Sequence, residues 1–316
     1  MVQYKKRRAD ISLKGIFSRW NFSLKIAAAV YTLSMLVVIY ITGYELKILN
    51  TELAVRQVRQ NGVNYDAFRD FMITKEMLAV SDHEAAHILK VNPRLKNKSY
   101  IDALGYLTFN NMALDYDTKR FGAYDDTAFV RGIGKVAATP GFQEVYGYYH
   151  MILSDIKYFP VPKINAGYGD IAYYDTWFDL RKYGGNRRHE GTDLMDSNNI
   201  PGFFPIISIT DGVVEKMGWL EKGGYRIGIR AESGGYFYYA HLNSYAPELK
   251  EGDHVIAGQL LGFMGNSGYG PEGTTGQFDV HLHLGIYVPT NTGEMSVNPY
   301  WILKLLEDHR TVYQFE

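Results

Sequence analysis

A long uncharged run near the amino terminus limits the possible architectures of this chain more than any other feature. Residues 26–44 carry no charged side chain and cover about 19 positions, close to the ~20 that a helix needs to cross a bilayer. A buried core helix and a cleavable signal peptide are the alternatives. Because the run is longer than a typical signal-peptide core and no clear small-residue cleavage site follows it, we predict an uncleaved signal anchor.

The charges beside this run predict its orientation. Residues 1–25 form a basic tail with one acidic residue, Asp10, against Lys5, Lys6, Arg7, Arg8, Lys14, Arg19 and Lys25. Positive charge collects on the cytoplasmic side of membrane helices. We therefore expect a single-pass protein with its amino terminus inside and everything after residue 44 outside. Tyr40 and Tyr44 stand where an interfacial aromatic belt would lie.

The composition excludes several kinds of site. The chain of 316 residues leaves room for about two domains, and its net charge of −1 offers no global basic field for nucleic acid. Cysteine is absent, which removes disulfides, thiolate metal sites and cysteine nucleophiles. A metal ion must therefore be bound by His, Asp or Glu, a ligand set that suits zinc.

Helical spacing predicts a helical juxtamembrane domain over residues 45–159. Its expected helices cover residues 45–60, 65–72, 79–90, 99–111, 127–136 and 141–158, and Pro93 is expected to end one of them. The stiff segment Pro160-Val161-Pro162 marks the boundary to the next domain.

A β domain is predicted over residues 160–302. Short apolar runs there are separated by Gly, Asn and Asp at close intervals, and Asp211-Gly212 and Ser233-Gly234-Gly235 are typical of hairpin turns. Residues 303–316 form the C-terminal tail, and a short helix is expected over residues 297–308, with Pro299 near its start.

The segment Asp279–Val288 reads as a strand that carries two histidines. Period two puts His281, His283 and Gly285 on one face and four aliphatic residues on the other. The two imidazoles can share one metal ion, or one can bind metal while its neighbour transfers protons. A pair of exposed strand histidines is the alternative.

Two other segments offer polar groups of the same kind. His189-Glu190-Gly191-Thr192-Asp193 spaces a histidine and an aspartate four apart, and Gly191 favours a loop there over a helical turn. Together with one strand histidine they make a His₂Asp set that leaves the fourth zinc position open, which is typical of catalytic sites. His241 follows Tyr238-Tyr239-Ala240 at the end of another predicted strand.

A competing motif lies in the helical part. His83-Glu84-Ala85-Ala86-His87 matches the pattern in which two helical histidines bind zinc and the glutamate acts as base. Nothing marks a third ligand, although Asp102, Asp115 or Asp117 could serve. We interpret the motif as a solvated helix face.

From about residue 160 to residue 302 the chain resembles the LytM/lysostaphin-type zinc metallopeptidases, which cut bacterial peptidoglycan. The order HxxxD, then Tyr-x-His-Leu, then His-x-His carries the resemblance, together with the Gly265-Asn266-Ser267-Gly268 loop and the Gly252–Gln259 hairpin. It implies an all-β catalytic domain of antiparallel sheets with a barrel-sandwich-like groove. The lead-in Thr275-Gly276-Gln277-Phe278 and the preceding Gly-rich loop depart from the family pattern, which affects the expected shape of the groove.

The resemblance implies roles for five residues. His189, Asp193 and His283 would bind one Zn²⁺ ion with a water, and His241 and His281 would be the catalytic pair. Glu190 follows a ligand and is expected to point away, so a histidine must do the proton work. The implied activity is a metalloendopeptidase acting on peptidoglycan peptides at the wall side of the bacterial cytoplasmic membrane. A silent regulator or wall-binding module of the same fold is the alternative, and the helical domain is open to an unknown protein partner.

Overall fold

The computed structural model describes residues 13–96, 100–113, 124–164, 170–182 and 185–314. It contains an amino-terminal helical region followed by a region of antiparallel sheet, as the sequence predicts. Lys5, Lys6, Arg7, Arg8 and Asp10 of the predicted cytoplasmic tail lie outside the described part of the chain.

One long helix, α1 (Leu13–Asn61), holds the whole uncharged run. Within its segment Asn21–Gln60, an 18-residue window has a mean hydropathy of 2.0, and no residue of that window is buried. The expected juxtamembrane helix is the direct continuation of the apolar one. Among the described residues this is the one helix long and apolar enough to cross a membrane, judged by length and composition.

Among the described residues of the first region, five further α-helices follow. They are α2 (Tyr65–Asp70), α3 (Lys75–Val91), α4 (Ala103–Ala113), α5 (Asp126–Val136) and α6 (Pro140–Leu153). Side chains of Asn64, Thr74 and Asp125 accept hydrogen bonds from the first turns of α2, α3 and α5. Helix α3 ends two residues before Pro93, as predicted.

Helix α6 is shorter than its sequence pattern predicts. It ends at Leu153 and not near Tyr158, because the following chain bonds to the β region: the amide of Lys157 donates to the carbonyl of Ile209 at 2.9 Å. A tertiary contact therefore ends helix α6 before the helical sequence pattern ends.

Fourteen strands are present in the described part of the second region. They are β1 (Lys163–Ile164), β2 (Ile171–Tyr173), β3 (Leu180–Arg181), β4 (Arg187–Arg188), β5 (Thr192–Asp196), β6 (Pro205–Ile207), β7 (Gly212–Leu220), β8 (Gly224–Ala231), β9 (Tyr236–Tyr245), β10 (His254–Val255), β11 (Leu260–Met264), β12 (His281–Thr290), β13 (Gly293–Val297) and β14 (Val312–Tyr313). The main sheet runs β10-β7-β8-β9-β12-β5-β2 and is antiparallel, with β6, β11 and β13 paired beside this path.

One of the two predicted hairpin turns is correct. Ser233-Gly234-Gly235 joins the paired strands β8 and β9, and the amide of Gly234 donates to the carbonyl of Ala231. The prediction at Asp211-Gly212 is wrong, because β6 pairs with β11 while β7 pairs with β8 and β10. The Asp-Gly pair turns the chain from one part of the sheet to another.

Two clusters of buried apolar residues fill the molecule. The larger includes Phe68 and Tyr149 from the helical region together with Leu282 from β12 and Ile302. The smaller lies among the helices and includes Phe109, Phe129 and Phe142. The larger core therefore continues across the segment Pro160-Val161-Pro162, and Val161 itself is fully buried within it.

The short helix expected near the end is α7 (Pro299–Leu306), whose amino-terminal turn is capped by the Asn298 side chain. Its Ile302, Leu303 and Leu306 belong to the larger core. The chain then ends in β14, which pairs in parallel with β1.

Candidate metal centre and groove

Strand β12 positions the two histidines as period two predicts. Val280, Leu282, Leu284 and Ile286 are completely buried in the core, so His281 and His283 project from the opposite face. His283 pairs with Asp193 of β5 on one side and with Ala240 of β9 on the other. Three neighbouring strands therefore bring residues that are far apart in sequence to one place on the sheet.

The structure brings His189, Asp193 and His283 together. His189 Nε2 lies 3.1 Å from Asp193 Oδ1 and 3.1 Å from His283 Nδ1, and the latter two atoms are 2.9 Å apart. Ligands about 2.0–2.1 Å from a tetrahedral zinc are about 3.3 Å from one another. The triangle fits a zinc ion that binds all three atoms, and it is the one such group of His and carboxylate ligands within the described ranges.

Part of the local structure around Asp193 differs from the expected loop. Gly191 lies in an irregular turn, but Asp193 is on β5, where its neighbours Thr192 and Leu194 are buried. A β-carbon on Gly191 would approach His283 Cε1 to 2.3 Å and Leu284 O to 2.7 Å. Only glycine lets the turn pass this close to the third ligand.

Neighbouring groups orient the His189 imidazole. Its Nδ1 lies 3.1 Å from the backbone carbonyl of Thr176, and an N–H at Nδ1 leaves the Nε2 lone pair for a metal. The guanidinium of Arg181 is also close to Nδ1, but two donors cannot bond to each other. Arg181 therefore donates to Asp193 Oδ2, at 2.7 Å.

The pKa values of the centre favour metal-binding forms. Burial alone would raise the pKa of Asp193, but hydrogen bonds with His189 and His283 lower it well below its ordinary value. Burial lowers the pKa of His283. An ionised carboxylate and a neutral imidazole are the forms that coordinate a cation.

His241 and His281 lie side by side next to this triangle, with ring centroids 4.7 Å apart. His241 Nδ1 is 2.8 Å from the Ser267 carbonyl and His281 Nδ1 is 2.7 Å from the Asp279 carbonyl. Each Nδ1–H can therefore donate to the backbone, which leaves both Nε2 atoms as proton acceptors. Burial, together with the neighbouring imidazoles, lowers the pKa of His241 well below its ordinary value.

His241, on β9, has an uncommon backbone conformation, and the loop before β12 contacts its imidazole. Its φ is +61°, a value that non-glycine residues rarely adopt and that clusters at functional sites. Ser267 of the Gly265–Gly268 segment contributes the carbonyl that accepts from His241, and its hydroxyl donates to the carbonyl of Leu242. Phe278, where the sequence departs from the family pattern, packs against the His241 ring at 4.6 Å.

These groups line a groove with a cavity volume of about 750 Å³. Basic side chains outnumber acidic ones along its walls: Arg181, Arg187, Arg188, Lys222 and Arg226 face Glu190, Asp193 and Glu294. Each acidic group is already paired: Asp193 with the histidines and Arg181, Glu190 with Arg69, and Glu294 with Arg230. The groove therefore has a surplus of positive charge.

Glu190 is held away from the metal triangle, as expected. Its Oε1 accepts a hydrogen bond from Arg69 Nη2 at 2.8 Å. Arg69 belongs to α2, and it also donates to the carbonyl of Ser296 at the end of β13. A side chain of the helical region thus reaches the residue next to His189.

The helical motif at His83 and His87 does not form a metal centre among the described residues. His87 pairs with Asp126 at 3.0 Å, and His83 lies beside Glu84 with a largely exposed side chain. Asp102 accepts a hydrogen bond from Tyr146 and caps α4. Asp115 and Asp117 lie outside the described residues.

Several groove residues were not predicted from sequence, chiefly Arg181, Arg226 and Phe278. Arg226 had a usable signal, because Ile227 and Ile229 alternate with it on β8 and point into the core. Arg181 and Phe278 lie in irregular segments or very short strands, where no periodicity indicates the direction of a side chain.

Known proteins are similar to this chain over different lengths. Residues 187–299 match Peptidase family M23. An L-Ala–D-Glu endopeptidase of Bacillus subtilis is 39% identical over 204 residues, which is 63% of this chain and 59% of that relative. Lysostaphin of Staphylococcus simulans is 31% identical over 102 residues, 32% of this chain and 19% of the relative. The chain thus spans less than two thirds of the length of these relatives.

A solved structure matches a larger part of the chain. It comes from Ruminococcus gnavus and is assigned as a LytM-type glycyl-glycine endopeptidase; it is 42% identical to this chain, with a TM-score of 0.66. The match covers 83% of this chain and 99% of that one, so it includes helical as well as β regions. On this similarity and on the match of residues 187–299, the chain belongs to peptidase family M23.

Proposed function

We propose that this chain is a zinc-dependent endopeptidase that hydrolyses peptide bonds in bacterial peptidoglycan, in stem peptides or cross-bridges. The observation that carries the proposal is the triangle of His189 Nε2, Asp193 Oδ1 and His283 Nδ1, with sides of 2.9 to 3.1 Å, in the wall of an open groove. Its relatives include enzymes named for cutting L-Ala–D-Glu and glycyl-glycine bonds.

The proposed chemistry divides between three ligands and two proton carriers. His189, Asp193 and His283 would hold the zinc ion, which would supply Lewis acidity toward a peptide carbonyl and toward water. His241 and His281, each with Nδ1 facing a backbone carbonyl, have Nε2 atoms that can accept a proton and later return it to the leaving amine. Protonated, either ring can donate to the developing oxyanion.

The proposed location follows from the apolar helix. We infer that residues 26–44 anchor the chain in the bacterial cytoplasmic membrane, that residues 1–25 are cytoplasmic and that the groove lies on the wall side. None of the apolar window in α1 is buried against the rest of the protein, which supports an apolar environment around it. Residues 45–159 would then lie between membrane and groove, and residues 160–302 would form the catalytic β domain.

The test is digestion of isolated peptidoglycan by the full chain in detergent, with and without a chelator, followed by mass analysis of the products. New amino termini that disappear with chelator and return with zinc are expected, and their masses identify the bond. A chain that binds zinc but releases no peptide would be the silent regulator. A chain that retains wall peptides without binding zinc would be the wall-binding module.

A further inference from the structure

Three arginines of the groove, Arg181, Arg187 and Arg226, each have a buried guanidinium nitrogen without a hydrogen-bond partner. Arg181 and Arg187 donate through another nitrogen to Asp193 and to the Tyr269 hydroxyl, whereas no such bond of the Arg226 guanidinium occurs among the described residues. Its Nη1 atom is buried and has no hydrogen-bond partner in the protein, and no ion pair of this guanidinium occurs within the described ranges. A buried cationic donor without a partner is costly, because it has lost water and gained nothing in exchange. An anionic ligand that binds to this group would remove that cost.

Arg230 provides an internal comparison. It lies on the same strand and the same face as Arg226, four residues on, since Ile227 and Ile229 between them point into the core. Its guanidinium donates to Glu215, to Glu294 and to the carbonyl of Gly234. The fold therefore pairs one arginine of this face within the protein and leaves the other, in the groove, unpaired.

Strand register puts Arg226 in the same row as the metal triangle. The bulge between Tyr225 and Ile227 sets Arg226 opposite residues 240–241 of β9, and Ala240 pairs with His283 of β12. Neighbouring strands are about 4.8 Å apart, so the two backbones lie about 10 Å from each other across the sheet. An extended peptide advances about 3.3 Å per residue, so a bound substrate can cover this distance within a few residues. The long arginine side chain further shortens the distance between its guanidinium and the metal triangle.

The walls around Arg226 suit a carboxylate. Tyr236 and Tyr238 line the groove beside it, and its positive charge opposes the burial that raises the pKa of both phenols to about 12. The acidic side chains of the groove are already paired. A guanidinium binds a carboxylate through two parallel hydrogen bonds, an arrangement that an uncharged amide cannot reproduce.

We propose that Arg226 binds a free carboxylate of the peptide substrate next to the scissile bond, and that the chain therefore prefers acidic stem peptides to uncharged glycyl-glycine bridges. A glutamyl residue that uses one carboxyl group in the chain keeps the other free, so an L-Ala–D-Glu bond carries the required group directly after the cut. This proposal rests on the proposed function. Arg226 is a specificity determinant and takes no part in proton transfer.

The test uses two synthetic peptides that differ in one group. One is L-Ala-γ-D-Glu-L-Lys, in which the α-carboxylate of the D-Glu residue is free. In the other peptide that D-Glu carboxylate is converted to the primary amide. We expect the full chain, loaded with zinc in detergent, to show a kcat/KM about 10- to 100-fold higher for the acid, as expected for loss of a charge-assisted pair. Arg226→Met should abolish that preference by slowing the acid, and Arg226→Lys should restore part of it.

Arg230→Met is the matched control and should keep the preference for the acid. Zinc content and thermal unfolding of each variant show whether it is folded and loaded. An unchanged acid-to-amide ratio in Arg226→Met, or equal cleavage of both peptides by the unmodified chain, overturns the proposal.

Calorimetric binding separates this proposal from the proposed function. If neither peptide is cleaved with zinc present, the function is wrong for these bonds. Tighter binding of the acid than of the amide, lost in Arg226→Met, would still support the carboxylate site. Equal binding or no binding would refute it.

Discussion

At the metal centre, two roles can be tested separately. The ligand atoms of His189, Asp193 and His283 surround one possible metal position, whereas His241 and His281 lie beside it. We predict that His189→Ala, Asp193→Ala and His283→Ala each lose bound zinc, since each removes one corner of the triangle. His241→Ala and His281→Ala should keep zinc and lose about 10²–10⁴-fold in hydrolysis. Metal analysis and peptide turnover measure the two effects. Unchanged zinc in all three ligand variants would contradict the assignment.

Gly191 is a residue where one added carbon should disturb the metal centre without removing a ligand atom. Its β-carbon would lie 2.3 Å from His283 Cε1 and 2.7 Å from the Leu284 carbonyl, so the ligand or β12 must move. We predict that Gly191→Ala weakens zinc binding about 10- to 100-fold, the usual effect of disturbing a group that orients a ligand. Competition with a chromophoric chelator measures it.

Gly134 in α5 is the matched control, because nothing lies within 4 Å of its added β-carbon. Gly134→Ala should leave zinc affinity unchanged and stabilise the helix by about 0.5–1 kcal/mol. Equal zinc affinities for the two variants would show that the turn at Gly191 tolerates a side chain.

At the scale of elements, α2 is joined to the strands beside the centre by Arg69. Its guanidinium donates to Glu190 and to both the carbonyl and the hydroxyl of Ser296, and it stacks over the Phe178 ring at 4.7 Å. We predict that Arg69→Met lowers the free energy of unfolding by about 1–2 kcal/mol, mostly through the hydrogen bonds to Ser296. Urea denaturation measures it.

Glu190→Gln tests which contact of Arg69 carries that stability. The Glu190 side chain is 46% exposed, and such an ion pair contributes only about 0–1 kcal/mol. The variant keeps an oxygen that can accept from Arg69, so its loss should be smaller than that of Arg69→Met. A larger loss in Glu190→Gln would assign the stability to the ion pair.

For the whole molecule, the larger core makes the helices and the sheet depend on each other. Phe68 contacts Tyr148 and Tyr149 of α6, with ring centroids 5.3 Å away in both cases, and the cluster continues into β12 and α7. We predict that Phe68→Ala lowers the free energy of unfolding by about 3–5 kcal/mol. Helical circular dichroism should shift together with tryptophan fluorescence, because three of the four tryptophans, Trp177, Trp219 and Trp301, lie in the second region.

Val80→Ala on α3 is the control for that variant. Val80 is 40% exposed, so its truncation should change stability by no more than about 0.5 kcal/mol. If Phe68→Ala shifted the helical signal while the tryptophan signal stayed in place, the two regions would unfold independently.

The sequence by itself determined the features that local periodicity encodes. Alternation on β12 put His281 and His283 on the face opposite Leu282 and Leu284, and the uncharged run specified a long exposed helix. Spacing and order of the HxxxD, His and HxH segments led to the peptidase family. These properties depend on neighbouring residues along the chain, so a pattern of a few positions is sufficient to predict them.

Only the tertiary structure decided what depends on register between distant strands. The pairing of His283 with both Asp193 and Ala240, the failure of Asp211-Gly212 to make a hairpin and the end of α6 at Leu153 all follow from contacts that no local pattern records. The same holds for Arg226 and Arg230, which are equivalent in periodicity but differ in partners. Whether a charge is satisfied depends on which strands lie beside it, and packing of the whole chain sets that.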